Sequence, residues 1–543
     1  MKKKTLSLIL VLALCVSLLA GCGGPAASGN EETTPDGRTK ITYTGYWCEA
    51  DYEHDSYVEK YIEDALDIDI QVIKKETAET IDTMLAAGEM PDVMWDTNKT
   101  VDWMYEQELP RTIPRDLVEQ YAPSFIKLYD EYPILYKQTL DPENDQEFKY
   151  LTGVTVQFTD YYLYNDYYRY DWIQKLGIDL GVNVEQVSDR LYVADDGIEL
   201  SKFKEIMNAF ITQDPDGDGV DDTIGATGGA GGSDLTYNVF LSAFGMNSVN
   251  CEQDGKVTEY YAREEYKDYL KGMNELWKAG LLDQEMILGN RNLSWDKVNK
   301  GISGYWFTSS NSLNSWAVDR PPLTLLDADP EAIILMTPGI KPDGGTVSSV
   351  VSETPHYGRC FINANVSDEK LISILKFLEF TIFGAGDRTV LATMFYGEEG
   401  VDWEFAADGS LTKLQDLASG KKGTWSFGQF GQGGEAAKWI GEEEMFSSGM
   451  HYWGKDGKWM EYASFPYKTD YTSETNYSKL NAEYKGDLDA YVADYRTRAI
   501  MGDIDVDATW EEYLAELDRL GYSELMAELD KVLPAAEIIA SFE

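Results

Sequence analysis

Residues 214–223 read Asp-Pro-Asp-Gly-Asp-Gly-Val-Asp-Asp-Thr. Carboxylates stand at relative positions 1, 3, 5 and 9, with glycine at 6. Alternate side chains of such a loop converge on one point, the glycine allows a sharp reversal, and position 7 offers its carbonyl. The chemistry is capture of a hard cation by oxygen. The expected ligands are the side chains of Asp214, Asp216, Asp218 and Asp222 and the carbonyl of Val220, with the Thr223 hydroxyl as an extra donor. Position 12, where a glutamate usually closes the cage, is Gly225. A single structural Ca2+ is the expected cofactor. The competing reading is a solvated acidic turn, because Asp and Gly form turns without any metal.

The elements around this loop follow from periodicity. Lys40 to Tyr46 alternates as a strand and runs into Gly45-Tyr46-Trp47. Helical spacing over Val58 to Leu66, a strand at 68–73, a helix over Thr77 to Ala87 stopped by Gly88, and a short strand ending at Trp95-Asp96 complete a β-α-β order. That order implies a parallel sheet. Asp171 to Gly177, Phe203 to Phe210 and Glu264 to Ala279 read as helices, the second feeding the acidic loop. Strands are expected at 301–307, 332–336 and 359–364, and a helix over Ser367 to Phe380. The strand at 332–336 is expected to return to the first lobe. Beyond Ala385 mostly helix is expected.

Composition narrows the function. The 543 residues carry 95 acidic and 46 basic side chains, a formal charge of −49, which repels phosphate backbones and argues against nucleic acid as a partner. With 36 Tyr and 14 Trp, rings are numerous enough to line a cleft as well as a core. The five cysteines show no CxxC spacing, and the three beyond Cys22 are expected to be mostly buried free thiols. The basic start Met1 to Lys4, the apolar run Leu6 to Leu19 and Leu19-Ala20-Gly21-Cys22 form a lipoprotein-type leader. Cys22 is the expected lipidation site, with residues 1–21 as signal peptide and 22–39 as a flexible tether. The mature chain is expected outside the cytoplasmic membrane, held to its outer face by acyl chains alone.

Several segments together resemble the extracellular solute-binding proteins of ABC importers, in the lipoprotein group that includes alginate-oligosaccharide-binding and LplA-type members. These are Leu85 to Val93, Tyr170 to Gly177, the loop 214–225, Tyr266 to Glu285, Tyr396 to Trp403, and Ala499 to Gly502 followed by Trp510. The resemblance covers nearly all of residues 40–535. It implies an α/β fold of the two-lobed periplasmic-binding type (type II), hinged around a ligand cleft. The expected division is 40–160 with 330–385 in lobe 1, and 161–329 with 386–543 in lobe 2. It also implies a monomer that binds an oligosaccharide and delivers it to permease subunits, and is not an enzyme. Aromatic faces suit the C–H faces of sugars, and carboxylates suit their hydroxyls. The residues expected at the cleft are Tyr46, Trp47, Trp95, Asp96, Tyr161, Tyr305, Trp306, Trp316, Tyr396, Asp402 and Trp403. Three other readings stay open: a calcium-stabilised glycoside hydrolase with an acid and a base about 5–10 Å apart, a calcium-stabilised surface adhesin or signalling receptor, and a binder of peptide or another solute.

Overall fold

The computed structural model describes residues 33–531 apart from 46–47, 51, 78, 96–98, 132, 155–163, 229–238, 249–250, 254–255, 314–319, 351–355, 416–420, 428–462 and 465–475. Two mixed sheets organise the chain, each the floor of its own core.

The first sheet holds β1 (Thr39–Thr44), β2 (Ile68–Val72), β3 (Val93–Trp95), β4 (Pro110–Arg111) and β5 (Leu151–Val154). β1 lies between β2 and β3 and is parallel to both, as the β-α-β order predicts. Helix α1 (Tyr57–Leu66) supplies the first crossover. Ser56 caps it by accepting a hydrogen bond from the Glu59 N–H at 3.2 Å, and Val58 and Ile62 pack on the sheet.

The second sheet contains β6 (Tyr164–Arg169), β7 (Val184–Ser188), β8 (Leu191–Ala194), β9 (Tyr305–Ser309) and β10 (Ile334–Thr337), in the order β7-β8-β10-β6-β9. β10 runs parallel to β8 and antiparallel to β6. This corrects the expected return of 332–336 to the first lobe. All four residues of β10 are buried: Leu335 faces one hydrophobic cluster, while Ile334 and Met336 face another. A strand apolar on both faces suits the middle of a covered sheet, not an edge. The strand that does return is β11 (His356–Asn363), which pairs with β3, β4 and β5.

Helices cover both sheets. α2 (Tyr170–Leu176) ends at Gly177 with φ 65°, a left-handed cap that suits glycine. It buries Trp172 against Phe210 of α3 (Leu200–Thr212). α4 (Glu265–Lys278) faces the C-terminal helices α7 (Asn476–Met501), α8 (Val506–Arg519) and α9 (Tyr522–Leu529), all in the second core. Tyr495 and Tyr513 stack there at 4.1 Å, and the Trp510 indole N–H donates to Glu264 at 3.0 Å.

A second correction concerns residues after 385. α5 (Asp368–Phe383) and α6 (Arg388–Tyr396) are joined by a four-residue kink, so α6 stays on the first lobe. Leu391, Met394, Trp403, Leu411 and Phe427 all lie in the first core. The chain thus passes from the first core to the second between β5 and β6, returns before β11, and leaves again between Phe427 and α7. Cys48 and Cys360 are free and buried, as expected for small apolar packers; burial pushes the Cys48 thiol up to about 12. Cys251 has no described side chain. Among the described residues no helix is long and apolar enough to cross a membrane.

Candidate functional site

The acidic loop begins two residues after α3. Asp214 sits at φ 45°, and Gly217 and Gly219 at φ 80° each. The left-handed backbone at Gly217 asks for glycine; a Cβ there would meet only the end of the Lys175 side chain, which can move aside. The N–H groups of Gly217 and Gly219 donate to Asp214 at 3.0 and 3.2 Å, and that of Val220 donates to Asp218 at 2.7 Å. These bonds hold the alternating carboxylates in place. Asp214, Asp216 and Asp218 bring one carboxylate oxygen each within 4.8 Å of the others. A hydrogen bond from Asp216 holds the Asp214 carboxyl below its ordinary range. Burial, and then that same bond, raises Asp216. Three oxygens so placed fit a hard divalent cation, which would take over the position of the shared proton. Asp222 is exposed and outside this close group, Val220 is exposed, and Thr223 is buried.

Of the residues expected at the cleft, Tyr46, Trp47, Asp96, Tyr161 and Trp316 lie outside the described residues, as does Cys22. The other six are buried: Trp95, Tyr396, Asp402 and Trp403 in the first half of the molecule, Tyr305 and Trp306 in the second. Trp306 stacks on Tyr167 with ring centres 5.4 Å apart and planes 11° from parallel. Tyr305 packs edge-on to Tyr168 at 5.0 Å. Trp403 donates its indole N–H to the Gly397 carbonyl at 2.9 Å. Asp402 accepts from the Glu398 N–H at 2.7 Å and from Lys422 at 2.8 and 3.0 Å, and also from Gln415. Its carboxylate is spent on tying the 396–403 turn to Gln415 and Lys422.

The sequence reading passed over polar residues at one end of the second sheet. β6 opens Tyr164-Asn165-Asp166, and β10 closes on Thr337. The visible signal was a polar pair inside an otherwise aromatic strand. In the sheet Asp166 pairs with Thr337 on one side and with Phe307 on the other, while Asn165 pairs with Thr308. Asp166 is 3% exposed, and burial pushes its carboxyl up to about 7.

The fold is shared with known proteins. A search of solved structures finds the alginate-binding protein AlgQ2, solved without calcium ion, at TM-score 0.65 and 18% identity, covering 91% of this chain and 97% of that one. The substrate-binding protein FusA of S. pneumoniae in complex with kestose superposes at TM-score 0.65 and 17% identity, covering 91% and 98%. The chain has the fold of the ABC-transporter solute-binding proteins. This solute-binding fold comes with sequence likeness as well. The fructooligosaccharide ABC transporter substrate-binding protein FusA of Streptococcus pneumoniae is 25% identical over 335 residues, 57% of this chain. That match spans only 58% of the pneumococcal protein's length. The polygalacturonan/rhamnogalacturonan-binding protein YtcQ of Bacillus subtilis is 26% identical over 433 residues, 76% of each chain. Both relatives are named as binding proteins, the first of them for an ABC transporter. No family model matches the chain.

Proposed function

We propose that this chain captures an oligosaccharide by closure of its two lobes and passes it to the permease of an ABC importer, without chemistry on the sugar. The observation that carries the reading is the pair of separate α/β cores joined by repeated crossings, in a fold whose solved neighbours include one in complex with kestose. Separate cores can move as units about their connections, so a ligand that touches both favours the closed state by its differential affinity. The formal charge of −49 favours a neutral sugar over a polyanionic one. Tyr46, Trp47, Tyr161, Trp316 and Asp96 remain the proposed cleft contacts.

A thermal-shift screen of the purified protein against kestose, maltotriose and trigalacturonate checks the reading. A saturable rise in Tm with a neutral sugar, and no new product in the mixture, is expected. Cleavage of the sugar would support a hydrolase instead, and stabilisation only by peptides would support a different solute.

We read the loop at 214–223 as a structural calcium site, held by Asp214, Asp216 and Asp218 with the Val220 carbonyl, Asp222 and Thr223 completing the shell. Bound only to the folded state, the ion contributes RT ln(1 + [Ca2+]/Kd), about 4 kcal/mol at a thousandfold excess over Kd. Chelation should therefore lower Tm by several degrees. Asp216→Asn with Asp218→Asn should abolish the difference between chelated and calcium-loaded samples. Identical melting curves with and without chelator would contradict the assignment. The leader and tether support a protein anchored through Cys22 on the outer face of the membrane. Palmitate labelling that survives Cys22→Ala would rule that anchor out.

A further inference from the structure

Lys175 lies in the last turn of α2, and α2 is locked to the helix that feeds the acidic loop. Trp172, 1% exposed, meets Phe210 of α3 edge-on at 5.2 Å. Gly304 closes on the same indole, since a Cβ there would stand 2.5 Å from the Trp172 ring. This packing delivers the Lys175 side chain to the start of the loop. Its ammonium donates to the Pro215 carbonyl at 2.8 Å and stands 2.8 Å from the point a Cβ on Gly217 would take. A positive charge is thus held over the second to fourth loop positions. It acts on Asp214 through space, yet Lys175 forms no ion pair among the described residues.

The far end of the loop is held without help from any ion. The Ala226 N–H donates to the Leu281 carbonyl at 2.8 Å, and the Ser303 hydroxyl donates to the Gly225 carbonyl at 3.2 Å. A Cβ on Gly225 would fall 2.1 Å from the Leu281 carbonyl oxygen. The twelfth position therefore cannot carry the bidentate glutamate that closes tight calcium loops. Meanwhile Asp214, Asp216 and Asp218 gather oxygens within 4.8 Å of one another, and like charges so close repel. The fold brings its own cation to them.

We propose that Lys175 is a tethered counter-cation of the acidic loop, which keeps the loop in shape in calcium-free solution and weakens its hold on Ca2+. The inference rests on the reading of residues 214–223 as a calcium site. In the calcium-free protein the ammonium offsets repulsion among the carboxylates and pins Pro215. With calcium bound, the same ammonium stands beside a doubly charged ion and repels it. Both effects reduce affinity, so Lys175 sets the calcium concentration at which the loop fills.

The test compares wild type, Lys175→Met and Lys175→Arg. Calcium affinity is measured by calorimetry on chelator-stripped protein at low and high salt, and Tm is read with chelator and with saturating calcium. Lys175→Met should bind calcium about three- to tenfold more tightly at low salt, the scale of one water-exposed charge acting on a divalent ion. High salt should shrink that gain, because screening weakens the charge. With chelator its Tm should fall below that of the wild type, and calcium should narrow the gap. Lys175→Arg keeps the charge and should bind within twofold of the wild type. If Lys175→Met binds calcium no more tightly than the wild type, or loses the same Tm with chelator and with calcium, Lys175 is a structural pin and the inference fails while the calcium site stands. Equal tightening in Lys175→Arg, or a gain that high salt leaves untouched, would assign the effect to space rather than charge and would also sink it. A wild type that gives neither binding heat nor a calcium-dependent Tm would remove the calcium site itself, and this inference with it.

Discussion

Asp402→Ala is expected to destabilise the first lobe by about 1–3 kcal/mol, the cost of leaving donors without their acceptor. The Asp402 side chain is fully buried and pairs with Lys422, which is 34% exposed. Its oxygens also accept from the Glu398 N–H and the Gln415 amide. The alanine leaves the Glu398 N–H without its acceptor and releases the segment that carries Lys422. Trp403, immediately next in sequence, then loses the fixed turn that aims its indole at the Gly397 carbonyl. Lys422→Met tests the same contact from the wetter side and should cost at least as much, because it leaves the buried carboxylate without its cation. Urea unfolding of the three proteins, followed by tryptophan fluorescence, gives the comparison. Equal midpoints for wild type and Asp402→Ala would show that this network contributes nothing.

The second large effect has the opposite sign. Asp166→Asn should stabilise the protein at neutral and alkaline pH. Burial raises the Asp166 carboxyl from 3.8 to about 7, so the folded state prefers the protonated acid. The stability that this preference contributes is fully present below the ordinary carboxylate range. It is lost as pH rises towards about 7, because the unfolded chain ionises first. Above that point the wild type carries a buried charge that asparagine does not. The advantage of Asp166→Asn should grow from near zero at about pH 4 to at most about 4 kcal/mol at about pH 8. Urea midpoints of both proteins across this range supply the test. A constant difference with pH would mean that Asp166 titrates normally.

Much of the first sheet was legible because its strands obey local rules. Alternation over β1, the capped helix α1 and the apolar Val93-Met94-Trp95 gave element type and order directly. The acidic loop was legible for the same reason: its geometry is made within ten residues. The lobe boundaries were less so. β10 reads as an apolar strand from its sequence, but its neighbours lie 140 and more positions earlier, and nothing local says which sheet it joins. α6 went to the wrong lobe because a four-residue kink can either turn a helix back on its own core or lead out of it. The cleft residues were chosen as aromatics near strand ends, and that rule cannot separate a presented ring from a packed one. Trp306 illustrates the difficulty: its strand position suits a ligand plate, yet its face is covered by Tyr167. Asn165 and Asp166 escaped because polar residues beside tyrosines read as surface. Only the sheet register shows them buried.

Native mass spectrometry of the full mature chain, incubated with the neutral oligosaccharide that raises its Tm most, tests the central claim most directly. The expected spectrum has a single new species at the mass of one protein plus one intact sugar, unchanged after prolonged incubation, with a smaller collision cross-section per unit mass than the free protein. Shortened sugar in the mixture, or a spectrum in which no carbohydrate of any length stays bound, would contradict it.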